Sequence, residues 1–472
     1  MRCFRSVTVL LLSISAAVVA QPGQSNLARP RTNISYVDAK PVIDAMKPEW
    51  LPPELGGQTP TDIERGWPAW VGRLDAEIRG RLERGDEDSI VNFLLFGTSF
   101  TKLARATKRD AGGTQPGAQE VDLVNRRIDD LVTAIASPGS NERLRFVRAV
   151  VDRRGIDPSS PAGKTETRLY LADAVARVLR ETDQYDQTVE EAKRLNNPSQ
   201  EFTVRSSLYR NRGLSSDTSL LPGFAIDQTL DALRARGLLG SRSVRRVGII
   251  GPGLDFADKH DGYDFYQQQT IQPFAVIDSL VRHGLADPKD LQVTTFDLSA
   301  RINDHLESAR RRARAGTGYV LQLPRDSGVN WSKSLATYWE HFGDQIGKAA
   351  APVAVPPELG SVRVHAVNVQ PSFVLSIVPQ DLNIVVQRLD PLQQRERLDL
   401  IVATNVLVYY SVFEQSLAFA NVAAMLRPGG FLLSNNALFE VPGIPMTSID
   451  YSDVEYTDQR EGGDAVIWYQ RH

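Results

Sequence analysis

Apolar positions recur at helical spacing through the first half of the chain and at strand spacing through much of the second. Trp67, Trp70, Val71, Leu74, Ile78 and Leu82 share one helical face, with Gly85 as the expected stop. Val121, Val124, Ile128, Leu131 and Ile135 form a second such face, closed by Ser137-Pro138-Gly139. Further helices are predicted over 141–153 and over 165–181, where Leu171, Val175 and Val178 supply the stripe. Breaks rich in Gly, Pro and Ser fall at 111–118 and 155–163. Residues 61–240 are therefore expected to form a mainly α-helical domain without a solenoid repeat. Residues 21–60, rich in Pro, Gly and Asn, are expected to be an extended lead-in.

The period changes near residue 241. Val247-Gly248-Ile249-Ile250 has the texture of a buried strand and runs into Gly251-Pro252-Gly253. Helices over 270–284 and 299–314 alternate with strands over 291–297, 362–369, 383–389 and 398–403. A helix over 411–427, a strand over 431–434 and a hairpin of 448–457 with 465–470 complete the series. Strands alternating with helices predict an α/β fold: a Rossmann-like, doubly wound, mostly parallel sheet over 241–472 with a C-terminal antiparallel hairpin.

The extreme N-terminus has another character. Arg2 and Arg5 precede an apolar run over 7–20, and Val18-Val19-Ala20 offers small residues before Gln21. A charged start, a short apolar stretch and a small-residue end predict a signal peptide over 1–20 and an exported, periplasmic or secreted protein. The run is too short to span a bilayer, which takes roughly 20 residues. Cys3 is the sole cysteine, so no intrachain disulfide forms. With 54 Lys+Arg against 57 Asp+Glu, the net charge of −3 argues against nucleic-acid binding by bulk charge.

Three places carry candidate chemistry. The bend at Gly251 and Gly253, followed by Asp255, lets backbone N–H groups approach a ligand. It fails the dinucleotide fingerprint, because position 256 is Phe where a small residue is required, and this disfavours an NAD-dependent oxidoreductase. Asp297 ends the second strand, where a carboxylate accepts ribose hydroxyls or, more commonly for an isolated Asp, caps a helix. Thr404-Asn405 lie at the lip of the 398–403 strand, ahead of Ser411 and Glu414, which are spaced as a capping box. His260 lies in a polar and aromatic insert over 258–266 and is a weak candidate base; a solvated loop is the ordinary alternative. The histidines show no paired-ligand spacing, so no metal is expected.

The stretch from Leu398 through Leu426-Arg427-Pro428-Gly429-Gly430 to Ser434 resembles the class I S-adenosylmethionine (SAM)-dependent methyltransferase family. Asn405-Val406-Leu407-Val408-Tyr409-Tyr410 is similar to the segment after strand 4 in chemotaxis receptor methyltransferases. The resemblance covers about 244–472 and implies SAM as cofactor. Carried over, Gly251, Gly253 and Asp255 would lie by its methionine part, Asp297 at the ribose, Leu389 and Asp390 beside the adenine, and Asn405 and Val406 against the cofactor. The wide spacing from Gly251 to Asp297 and a further insert over 325–360 depart from the family pattern. Neither the methyl acceptor, whether small molecule or protein, nor any strict catalytic motif is legible. The alternative is an exported, non-catalytic binding or scaffold protein on the same fold.

Overall fold

A computed structural model describes residues 30–106, 118–194, 213–257, 262–389, 392–458 and 463–472. The expected signal peptide, His260 and Asp390 lie outside the described residues.

The chain begins with β1 (Arg31–Asn33) and a helix at Tyr36–Ala45, so the lead-in is not simply extended. Ser35 caps this helix, and Ala39 and Val42 bury its inner face. Helix Pro60–Gly80 follows, with Ile63, Trp67, Trp70, Val71, Leu74 and Ile78 buried along the stripe read from the sequence. Gly85 is not a stop. It lies inside helix Leu82–Phe96, where an added Cβ would stand 1.8 Å from the Leu214 carbonyl oxygen. Helices Ala118–Ala136, Glu142–Arg153 and Pro161–Arg194 pack with Leu82–Phe96 around Phe93, Leu131, Val147 and Leu171.

The α/β unit has seven strands in its main sheet: β2 (Arg246–Ile250), β3 (Gln292–Asp297), β7 (Ile377–Asp381), β9 (Leu398–Ala403), β10 (Leu426–Ser434), β11 (Met446–Glu455) and β12 (Gly463–Arg471). Their spatial order is β11-β12-β10-β9-β2-β3-β7. β12 runs antiparallel to both β10 and β11, against the direction of the other six strands, which gives the expected closing hairpin. The order reverses between β2 and β9, and a doubly wound sheet opens its crevice at the C-terminal ends of strands at such a switch point.

Helices Leu221–Ala235, Gln272–Arg282 and Ala300–Arg314 pack on one face of this sheet around Phe224, Phe274 and Leu306. Helix Val412–Met425 covers the other face together with Tyr36–Ala45 and Pro60–Gly80. The 61–240 segment therefore does not pack as one unit. Its first and last helices join the sheet, and only the helices between them make a separate core. The described connection from β7 to β9 contains no α-helix, and the N-terminal helices cover the face that such a crossover helix would occupy.

Two expected strands belong elsewhere. The 362–369 strand is β6 (Val362–Val369), in a separate antiparallel sheet with β4 (Tyr319–Asp326) and β5 (Gly347–Ala349); β4 and β6 flank the 325–360 insert and β5 lies within it. Of the 383–389 segment only β8 (Gln387–Leu389) is a strand, and it pairs with β1. The third strand of the parallel run is β7, which the sequence reading missed.

Candidate active site

The crevice at the switch point is lined by Ile250, Gly251 and Gly253 after β2, by Phe296, Asp297 and Leu298 at the end of β3, and by Thr404, Asn405 and Val406 after β9. Five of the eight cofactor positions expected from the sequence therefore meet here: Gly251, Gly253, Asp297, Asn405 and Val406. Counted with the open solvent at its mouth, the space these residues line is about 820 Å³.

Gly251 has φ 64° and Gly253 φ 69°, left-handed values that disfavour side chains. A Cβ on Gly251 would stand 2.4 Å from Val406 Cγ2, and one on Gly253 would stand 2.7 Å from Thr218 Cβ. The Gly251 N–H donates to the Phe296 carbonyl at 2.9 Å, fixing the bend to the neighbouring strand. Asn405 is left-handed too, at φ 57°, and its N–H donates to Asn435 Oδ1 at 2.8 Å. Gln272 Nε2 donates to Thr404 Oγ1 at 2.6 Å, so the first turn of helix Gln272–Arg282 braces the lip. Ser411 and Glu414 form the expected reciprocal cap and start helix Val412–Met425 just beyond Tyr409 and Tyr410, which also face the crevice.

Asp297 Oδ1 accepts the Ser299 N–H at 2.8 Å, a local turn that fixes the carboxylate while Ser299 itself takes the N-cap position. Burial pushes this acid up to about 7; the Ser299 N–H and Arg301 pull the other way, and Asp381 adds to the rise.

Two of the expected positions lie elsewhere. Asp255 is fully buried outside the crevice: its Oδ2 accepts from Tyr266 Oη at 2.7 Å and from Gln269 Nε2 at 3.3 Å, tying down the loop before helix Gln272–Arg282. Leu389 is 2% exposed on β8, where its N–H points at Met425 Sδ, and it does not line the crevice. Because β7 is the third strand, the residues that follow it, Leu382 and Ile384, take the place assigned to Leu389 and Asp390. Phe256, the residue that breaks the dinucleotide fingerprint, is buried against Phe93 and Phe146 at 5.5 and 5.0 Å between ring centroids. It anchors the helical core to the sheet.

The sequence reading also missed an entire wall. The segment 214–219, Leu-Ser-Ser-Asp-Thr-Ser, lies across the glycine bend, where the Leu254 N–H donates to the Ser216 carbonyl at 2.7 Å. The Leu214 N–H donates to the Arg81 carbonyl at 3.2 Å, and the Arg81 guanidinium donates to the Tyr409 carbonyl. Ser89 Oγ donates to Asp217 at 3.0 Å, and Arg301 Nη2 donates to Ser216 Oγ at 2.7 Å while stacking 4.1 Å from the Phe146 ring centroid. The only signal was compositional, a Ser/Thr/Asp run placed ahead of a helix that carries Pro222 in its first turn.

No protein-family model matches the chain, and no curated protein matches it significantly. Several solved methyltransferase structures are similar to about half of it. The N-methyltransferase NodS from Bradyrhizobium japonicum WM9 is 15% identical, over 52% of this chain and 96% of that one, with a TM-score of 0.25. Magnesium protoporphyrin IX methyltransferase (ChlM) from Synechocystis PCC 6803 is 12% identical, over 53% and 80%, with a TM-score of 0.25. TrmN from Thermus thermophilus is 15% identical, over 53% and 52%, with a TM-score of 0.26. Among the described residues no cluster of His, Cys, Asp and Glu is arranged to hold a metal ion, and no helix is long and apolar enough to cross a membrane.

Proposed function

We propose that the chain is a SAM-dependent methyltransferase whose cofactor site is this crevice. One observation carries the proposal: the Gly251 bend, the Asp297 carboxylate and the Asn405–Val406 lip, read separately from the sequence, converge where the strand order reverses. The residues suit an adenosyl ligand. Asp297 supplies an acceptor for paired hydroxyls, Leu382 and Ile384 supply an apolar wall for a base, and the glycines hold open a space that a Cβ would fill. The similarity of Asn405–Tyr410 to chemotaxis receptor methyltransferases supports the same reading of the lip.

When bound, SAM supplies an electrophilic methyl group on a cationic sulfur, so the chain's own task is alignment and exclusion of water. The Gly251 bend and Val406, in contact across the crevice floor, would hold the cofactor in place. Tyr409 and Tyr410 border the approach for the acceptor. The signal-like 1–20 segment supports export as a second part of the proposal, tested by mass spectrometry of the mature N-terminus; an intact Met1 counts against it.

Calorimetric titration of the purified protein with SAM is the direct test, with Asp297→Ala alongside. Micromolar binding that the substitution weakens at least tenfold supports the reading. A folded wild type that yields no heat overturns it in favour of a non-catalytic scaffold.

A further inference from the structure

Strand β4 has one uncovered edge. The small sheet has the order β4-β6-β5, so β4 pairs on one side only. The ladder fixes which backbone groups face out. The Ala350 N–H donates to the Ala366 carbonyl at 2.9 Å, so even-numbered residues of β6 bond toward β5 and odd-numbered ones toward β4. Tyr319, Leu321 and Leu323 therefore bond to β6, whereas Val320, Gln322 and Pro324 face away from it. Most of this edge is closed. Gln269 stands in for a strand beside Gln322: its Oε1 accepts the Gln322 N–H at 2.8 Å, and its Nε2 donates to the Gln322 carbonyl at 2.6 Å. Pro324 has no N–H to offer. Val320 is the exception. Among the described residues its outward N–H and C=O find no partner in the chain, and the residue is 47% exposed.

This open stretch borders a groove. Thr317, Gly318 and Val320 line it together with Glu142 and Arg145 of helix Glu142–Arg153 and with Arg301, Asp304 and Arg312 of helix Ala300–Arg314. Three arginines against two acids leave the lining with one net positive charge. Among the described residues none of the three forms an ion pair: Arg145 Nε donates to the Gly139 carbonyl at 2.7 Å, and Arg301 Nη2 to Ser216 Oγ. Arg312 is exposed, and its charge acts on both His305 and Tyr319, which places it at the start of β4.

We propose that the groove takes an extended, acidic peptide segment of a partner protein, added as a strand to β4, with its backbone paired to Val320 and a carboxylate on Arg312. The proposal is independent of the crevice and of methyl transfer. Proteins ordinarily blunt an exposed strand edge with proline, charge or a covering group. In β4 such devices stand at Gln322 and Pro324 and stop short of Val320. An incoming strand gains one main-chain donor and one acceptor there, while the arginines favour acidic over basic side chains beside the paired residue.

The test selects phage-displayed random heptapeptides against the purified chain and measures the enriched ones as fluorescein-labelled synthetic peptides by anisotropy. Peptides carrying Asp or Glu beside β-branched residues are expected to bind at micromolar concentration. N-methylation of the peptide, one residue at a time, removes single main-chain donors without touching the protein. It should weaken binding about tenfold at one position and less at the neighbours on either side, whose N–H groups point away. Val320→Pro removes the outward N–H at an edge position where proline is tolerated, and should weaken the same peptides about tenfold. Arg312→Glu should do likewise, with Arg312→Lys recovering most of the loss. The N-methyl series on the wild-type chain decides the matter if Val320→Pro does not fold. No enrichment, enrichment of basic peptides, or binding indifferent to N-methylation at every position overturns the proposal. So does a wild-type dimer in sedimentation that Val320→Pro disperses, because the edge then pairs with a second copy of the chain.

Discussion

Asn405 and Asn435 grip each other reciprocally: the Asn405 N–H donates to Asn435 Oδ1 at 2.8 Å, and Asn435 Nδ2 donates to Asn405 Oδ1 at 2.8 Å. The pair joins the ends of β9 and β10 and holds Asn405 in its left-handed conformation. Backbone in that region costs a non-glycine residue of order 1–3 kcal/mol unless its surroundings enforce it. Asn435→Ala removes the enforcement and is expected to cost about 1–3 kcal/mol. Urea unfolding should show it, with SAM affinity falling by more than the stability loss explains, because the lip faces the ligand.

Gly251→Ala places a methyl group 2.4 Å from Val406 Cγ2 on a backbone with φ 64°. Binding is expected to fall at least tenfold as Val406 is driven toward the ligand. Val406→Ala in the same chain relieves the contact but not the backbone strain, so calorimetry of the double variant should show partial recovery of affinity with little recovery of stability.

The pH dependence follows from Asp297. Its folded-state acid titrates near 7, against 3.8 as the ordinary value. Ribose hydroxyls donate, so they favour the carboxylate. Affinity for SAM is expected to rise as pH increases from 5.5 to 7 and to level off above, with proton uptake by buffer marking the ionisation. The groups that face this acid are Arg301 and Asp381, together with the Ser299 N–H. For stability the sign is opposite: between about 4 and 7 the folded state holds a proton that the unfolded state has released, so this group's contribution declines as pH rises. Asp297→Asn should flatten both profiles, read by calorimetry and by thermal unfolding across pH.

Phe256 makes the helical core and the sheet one structure. Its ring meets Phe93 and Phe146, and Arg143 donates from Nε to its carbonyl and from Nη1 to that of Tyr266. Phe256→Ala is expected to cost about 3–5 kcal/mol. Limited proteolysis should then cut between the helical core and the sheet before either is degraded.

How far the sequence carried depended on how each element announced itself. β9 is buried at all six positions, and its apolar run Leu400–Ala403, broken only by Asp399 after Leu398, marked it as a core strand; the Ser411–Glu414 box and the Pro428-Gly429-Gly430 turn then bracketed the next helix. β7 had no such marks. It follows helix Pro371–Ser376 without a turn residue, and Pro379 inside it looks like a breaker. Pro379 is tolerated because β7 is the outermost strand and needs no N–H on its free side. Missing β7 moved the adenine assignment to Leu389 and Asp390. Asp217 was illegible for a different reason: contacts with Ser89 and Arg81, more than 120 residues earlier, bring it to the crevice, and no local pattern encodes them.

The pairing of β1 with β8 closes one of the longest loops in the chain. Arg31 lies opposite Leu389 in that ladder and also pairs with Asp381 at 2.9 Å, while Trp67 Nε1 donates to the Ile34 carbonyl at 2.9 Å. The first described strand has no partner until more than 350 further residues have been synthesised. A nascent chain must therefore leave β1 without its ladder partner until β8 has been synthesised, a long-range closure of the kind that slows folding.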